Sequence, residues 1–254
     1  FASVEEGVGI LGTRDAFITS LSAFDRAARL KTGDLVSDER FVGFVRANVV
    51  GWTSSEKNRV ISAFRGLQGR LASLSLDYPE TIYFVKTTGL EEGGAPYSRG
   101  DAIVLQERVI WNTEKLGHVI AHELFHVLSR FNPAIKERLY NTIGFHRYKN
   151  VQLPSALKDR RITNPDAPGN EHAIKVQRGG ESLWVVPIIF SSTEKYDVAA
   201  GGDFFDYLQS RFLVVAEGNS LASATGGNNL KDPGLLDISE FTGFYEQVGR
   251  IFDV

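Results

Sequence analysis

Cysteine is absent from the 254-residue chain. That excludes disulfide scaffolds, cysteine-ligated zinc and iron–sulfur sites, and thiol nucleophiles together. Methionine is absent too, at position 1 as elsewhere, where a chain of this length would hold about five at a usage of roughly 2%. The sequence is therefore expected to be less than a full translation product: a leader removed, an end trimmed, or methionine-derived positions missing. A removed leader favours a secreted or periplasmic setting over the cytoplasm. The opening Phe1-Ala2-Ser3-Val4-Glu5-Glu6 itself has no basic segment running into an apolar core. A basic excess is also missing. The chain has 28 Lys and Arg against 31 Asp and Glu, a net charge of −3, which disfavours a nucleic-acid binder. No run approaches the ~18 apolar residues of a membrane span; the longest, Leu183 to Phe190, is strand-sized and interrupted by Pro187.

What remains is an ordinary globular balance, with 43% hydrophobic and 23% charged residues. It suits one domain over residues 1–254, with 1–80 and 81–254 as two lobes if it divides. The first third has helical periodicity. Arg14 to Leu30 places Phe17, Leu21, Phe24 and Ala28 on one face, Val36 to Val50 follows Ser37, and Ser54-Ser55-Glu56 opens a third helix carrying Val60, Ile61, Phe64, Leu67 and Leu71. Thr81 to Lys86 and Ala102 to Trp111 predict two strands, antiparallel if paired, around a glycine-rich connection from Gly89 to Gly100. Thr113 is a candidate N-cap for a helix reaching about Phe131, and Asn132-Pro133 opens the next, ending near Ile143. Beyond a loop at 164–169, His172 to Gln177 and Glu181 to Phe190 read as strands, Phe204 to Val215 is ambiguous, and Ser239 to Val248 reads as a terminal helix. The 17 phenylalanines sit at helical and strand spacing and belong to the core.

The chemistry lies in His122-Glu123-Leu124-Phe125-His126. Chance would place His-Glu-x-x-His in roughly 0.7% of chains of this length and composition. Residues four apart lie one turn apart on a helix face, so both imidazoles can aim at one Zn²⁺. Glu123, rotated by about 100°, can hold the water in the metal's open position, take its proton as a carbonyl is attacked, and return it to the leaving amine. Two histidines and a glutamate could also be mere helix solvation. Apolar Leu124, Phe125, Val127 and Leu128 argue against that, because a buried polar group needs a partner. His118, one turn earlier, is about 12 Å of helix rise from His126, too far for one ion to join all three, and is expected at the rim or in the core.

The third ligand is open. Ser129 and Asn132 stand where a metzincin has glycine and histidine. Glu171, Glu217, Glu240 and Glu246 are candidates for a glutamate from a later element, and Asp203 with Asp206 would serve an aspartate pattern. Candidates for an oxyanion donor are Tyr97, Arg99, His146, Tyr148 and His172. The strand Ala102 to Trp111 precedes the zinc helix and could be a substrate-binding edge strand, or a plain core strand.

His122 to Arg130, Asn132-Pro133, Ile143-Gly144-Phe145, Ile162-Thr163-Asn164-Pro165-Asp166-Ala167-Pro168 and Gly243 to Arg250 together resemble a family of poorly characterised bacterial gluzincin-like zinc metallopeptidases. The likeness spans roughly residues 89–250, and the pentad is its specific part. In that family the last segment continues into a helix carrying the ligand glutamate, whereas here it runs into Ile251-Phe252-Asp253-Val254. Either the ligand lies beyond Val254, another residue serves, or the site is degenerate. The resemblance implies an α+β, zincin-like fold: N-terminal helices, a small mixed sheet, the zinc helix and C-terminal closing elements. It implies one zinc ion on His122 and His126, Glu123 as catalytic base, and a peptide or protein substrate. The alternative is a non-catalytic zinc-binding or regulatory module. The sequence carries no signal for oligomeric state.

Overall fold

The computed structural model describes residues 1–72, 76–148, 151, 153–215 and 235–238. Among them are nine α-helices and two sheets, an α+β architecture. None of these helices is long and apolar enough to cross a membrane. The terminal helix expected at 239–248 lies outside the described residues.

The N-terminal region is more finely divided than its periodicity suggests. Helix α1 (Val4–Leu11), which the sequence reading missed, opens on a capping box in which Ser3 Oγ accepts from the Glu6 N–H and Glu6 accepts from the Ser3 N–H. The helix expected over 14–30 is two, α2 (Ala16–Ser20) and α3 (Ala23–Leu30). The break has a local cause: Ser22 and Asp25 form a second capping box, which starts a new helix at Ala23. Phe17, Leu21, Phe24 and Ala28 are all buried nonetheless. Helices α4 (Asp38–Ala47, capped by Ser37) and α5 (Ser54–Ala72) follow as expected.

Strands β1 (Tyr83–Thr87), β2 (Tyr97–Arg99) and β3 (Ala102–Gln106) form a sheet in the order β1-β3-β2. Two expectations are corrected here. β3 runs parallel to β1, not antiparallel, and it is the central strand, so it offers no edge to a substrate. Its chain also turns at Glu107 into the short helix α6 (Glu107–Ile110). All five β3 residues are buried, because both sheet faces are covered. Ala102 and Val104 join a core with Leu11, Phe17, Phe41 and Val45, while Ile103 and Leu105 join another with Val60, Ile120, Leu124 and Val127. The N-terminal helices thus cover one face, and α5 with α7 (Leu116–Phe131) covers the other.

After α8 (Pro133–Thr142), strand β4 (Phe145–Arg147) and helix α9 (Ser155–Lys158), an antiparallel meander continues through β5 (His172–Arg178), β6 (Glu181–Ser191), β7 (Leu208–Val215) and β8 (Leu235–Asp237). The β5–β6 hairpin turns on Gly179 and Gly180, both at positive φ, as a tight two-residue turn requires.

One buried ionic cluster joins these parts. The Arg29 guanidinium meets Asp25 Oδ1 at 2.6 Å and Glu92 at 2.9 and 3.0 Å, and donates to the Thr163 carbonyl at 3.0 Å. The Thr163 N–H and hydroxyl return to Asp25. All three charged residues are at most 3% exposed. Removing one partner of a buried ion pair costs about 3–5 kcal/mol, because it strands the other charge. Arg29→Met should therefore lower unfolding stability by about that amount in denaturant titrations; a loss well under about 1 kcal/mol, the scale of an exposed pair, would contradict the cluster's role.

Beside it, burial pushes the Glu91 carboxyl above its ordinary value of 4.5, against opposing hydrogen bonds that include one from Tyr97. The folded chain then holds this proton more tightly than the unfolded one. Its contribution is full below about pH 4.5 and declines as pH climbs through the raised value. Urea unfolding at stepped pH should show stability falling from pH 5 toward neutrality, with a shallower fall in Glu91→Gln. An identical slope in the variant would refute the assignment.

Candidate metal centre

Helix α7 carries the pentad, and its inward stripe explains its position. Leu116, Ile120, Leu124 and Val127 pack against Val60, Ile103 and Leu105, which turns His122 and His126 away from that core on adjacent turns. The expected N-cap is corrected. The helix begins at Leu116 without a side-chain cap, and Thr113 instead accepts a hydrogen bond from Arg59 at 3.0 Å. Its far end is as expected at Asn132-Pro133, but the Asn132 side chain bridges the Leu128 carbonyl and the backbone of Asp77.

The Nε2 atoms of His122 and His126 stand 3.2 Å apart. Two nitrogens bound tetrahedrally at about 2.0–2.1 Å from one zinc ion would be about 3.3 Å apart, so the pair already has the bite of a single ion. A hydrogen bond between the two rings would give the same distance. Burial pushes the His126 imidazole down to about 4, opposed by Asp166 and reinforced by His122. The ring is neutral at ordinary pH, which is the form that ligates.

Glu123 is 3% exposed, and its Oε2 has no hydrogen-bond partner. Its carboxyl is pushed up to about 9, first by burial and then by the Asp166 carboxylate within hydrogen-bond reach, with Arg130 opposing. Asp166 is held in turn. Its Oδ1 accepts from the Ser98 N–H and hydroxyl, both at 2.7 Å. Arg130 donates to Ser98 Oγ at 2.7 Å, to the Asp166 carbonyl at 3.1 Å and to the Gly100 carbonyl at 3.0 Å. At that value Glu123 is protonated at neutral pH in the metal-free chain, and a divalent cation beside it would favour loss of that proton. Neutral nitrogen donors at the right bite and a buried carboxyl oxygen without a partner fit zinc.

The remaining expectations fare unevenly. Among the described residues, no three His, Asp or Glu side chains are gathered to hold one ion. Glu217, Glu240 and Glu246 lie outside those residues. Glu171 is exposed, and its carbonyl takes the Tyr148 N–H at 2.7 Å. Asp203 and Asp206 are committed to a capping box on the 3-10 turn Phe204–Tyr207, so the aspartate pattern fails. Of the oxyanion candidates, Tyr97 is buried against Glu91. Arg99 is spent on Asp15 and the carbonyls of Leu11 and Thr13. His172 binds Glu137 at 3.0 Å, and His146 packs edge-on to Trp184. Tyr148 is half-buried just beyond β4. His118 is exposed at the rim of a cavity of about 1120 Å³ between α5, α7 and α8, whose wall includes Leu67, Leu71, Phe125, Leu128 and His122.

Sequence reasoning did not single out Ser98, Arg130 or Asp166. The only signal for the last two was their place inside the segments of resemblance. Compared with known protein families, curated proteins and solved structures, the chain matches none.

Proposed function

We propose that the protein is a zincin-like zinc metallopeptidase. The observation that carries this reading is the pair of imidazole nitrogens 3.2 Å apart beside a buried, unpartnered carboxylate oxygen. His122 and His126 would hold the metal through Nε2. When bound, zinc supplies Lewis acidity and brings the pKa of a water in its open position to about 7. With the cation holding it ionised, Glu123 would accept the proton of the attacking water and return it to the leaving nitrogen. The apolar wall beside His122 suits a substrate with apolar side chains. The family likeness of the sequence supports the same assignment.

The second reading, a zinc-binding or regulatory module without catalysis, is favoured by the lack of a third ligand among the described residues. One set of variants separates the two. Zinc at a hundred times its Kd should stabilise the metal-free chain by about 2.7 kcal/mol in thermal melts, and His126→Ala should abolish this. Glu123→Gln should keep the zinc effect yet lose at least about a hundredfold in peptide cleavage. Zinc binding with equal turnover, or no turnover, in both forms would favour the module. No zinc effect at all would remove both readings.

A further inference from the structure

We propose that Asp166 is a positioning residue of this centre, the loop carboxylate that fixes how the Glu123 carboxyl sits beside a bound cation. The inference rests on the metal-site reading above and deepens it.

The loop holding Asp166 is built from outside the site. Three residues earlier, Thr163 is bound to Asp25 and Arg29 in the buried ionic cluster. Between them the Asp166 N–H donates to Asn164 Oδ1 at 2.9 Å, closing a local turn. From the sheet side, Ser98 supplies two donors to Asp166 Oδ1 and is itself fully buried. Arg130, on the same helix as the pentad, locks Ser98 and the Asp166 backbone together. Helix, strand and loop therefore converge on one carboxylate standing against Glu123.

Nothing in that local bonding requires a charge. Both bonds from Ser98 end on one oxygen, and the carbonyl oxygen of an asparagine would accept them equally well. An aspartate instead sets a second carboxyl beside that of Glu123. A divalent cation on His122 and His126 would draw on both carboxyls, while Arg130 stays on Ser98 and the carbonyls of Asp166 and Gly100. Outer carboxylates that orient metal ligands typically account for 10–100-fold in affinity or activity.

The test is Asp166→Asn in the full chain, titrated with Co²⁺ and Zn²⁺ and assayed on peptides. The metal-free variant should melt close to the wild-type temperature, because an asparagine oxygen can take both bonds from Ser98. Co²⁺ should bind about 10–100-fold more weakly with an unchanged visible spectrum, and kcat should fall more than KM rises. Wild-type affinity and turnover in the variant would overturn the role. So would a sharply lowered metal-free melting temperature, which would make Asp166 a fold-holding residue. Complete loss of metal with an altered Co²⁺ spectrum would make Asp166 a ligand and overturn the positioning role as well. If the wild-type chain itself binds neither metal, the metal-site reading fails first and takes this inference with it.

Discussion

The Arg29 guanidinium, wedged between Asp25 and Glu92 and capped by the Thr163 carbonyl, is the constraint on which the rest of the architecture hangs. Each of its partners comes from a different stretch of chain: α3, the 3-10 turn after β1, and the loop that leads into the meander. Phe204, from a fourth stretch, stacks over the guanidinium at 4.2 Å. Local propensity cannot bring such distant segments together. A buried charge can, since it must be paired wherever it ends up. The cluster anchors the loop from Thr163 to Pro168 at one end, and Ser98 with Arg130 holds Asp166 at the other.

The second determinant is the layering around β3. Its odd and even residues feed two cores, one beneath the N-terminal helices and one beneath α5 and α7. That dual burial fixes α7 against the sheet with its histidines on the opposite side. It also leaves β2 as the edge strand beside the helix, with Ser98 in its middle. Arg130 spans the two, so the rotation of α7 about its axis is tied to the register of the sheet. The pentad's geometry is therefore a property of the sandwich and not of the helix alone.

The sequence made legible whatever depends on near neighbours. The pentad, the Asn132-Pro133 junction, the cap at Ser37 and the strands over 172–177 and 181–190 are all set by periodicity or by side chains within a few residues. The split at Ser22 was equally local, but it was hidden because Phe17, Leu21, Phe24 and Ala28 keep helical spacing across the break. The parallel pairing of β1 with β3 was not legible, since strand direction depends on how residues 88–101 travel between them. The Ser98–Asp166–Arg130 clamp was invisible for a similar reason. Its members are separated by 32 to 68 positions, and each alone looks like a surface residue. Tyr97 and Arg99, by contrast, are candidate oxyanion donors by residue type, yet both are absorbed by structural bonding.

The two charged clusters, one fully buried and one half-buried, have the same inventory, one guanidinium and two carboxyls, and differ in how it is satisfied. Around Arg29 the oxygens of both carboxylates accept donors: Asp25 from Ser22, Thr163 and Arg29, Glu92 from Arg29 alone. Around Arg130 the bonding stops short. Ser98 fills one oxygen of Asp166, Arg130 spends its donors on carbonyls and a hydroxyl, and Glu123 Oε2 is buried with none. A fold that merely needed to neutralise charge had a worked solution available a few residues away. An incompletely bonded copy beside two imidazole nitrogens 3.2 Å apart leaves room for a group from outside the chain, and the proposed metal is one that fits.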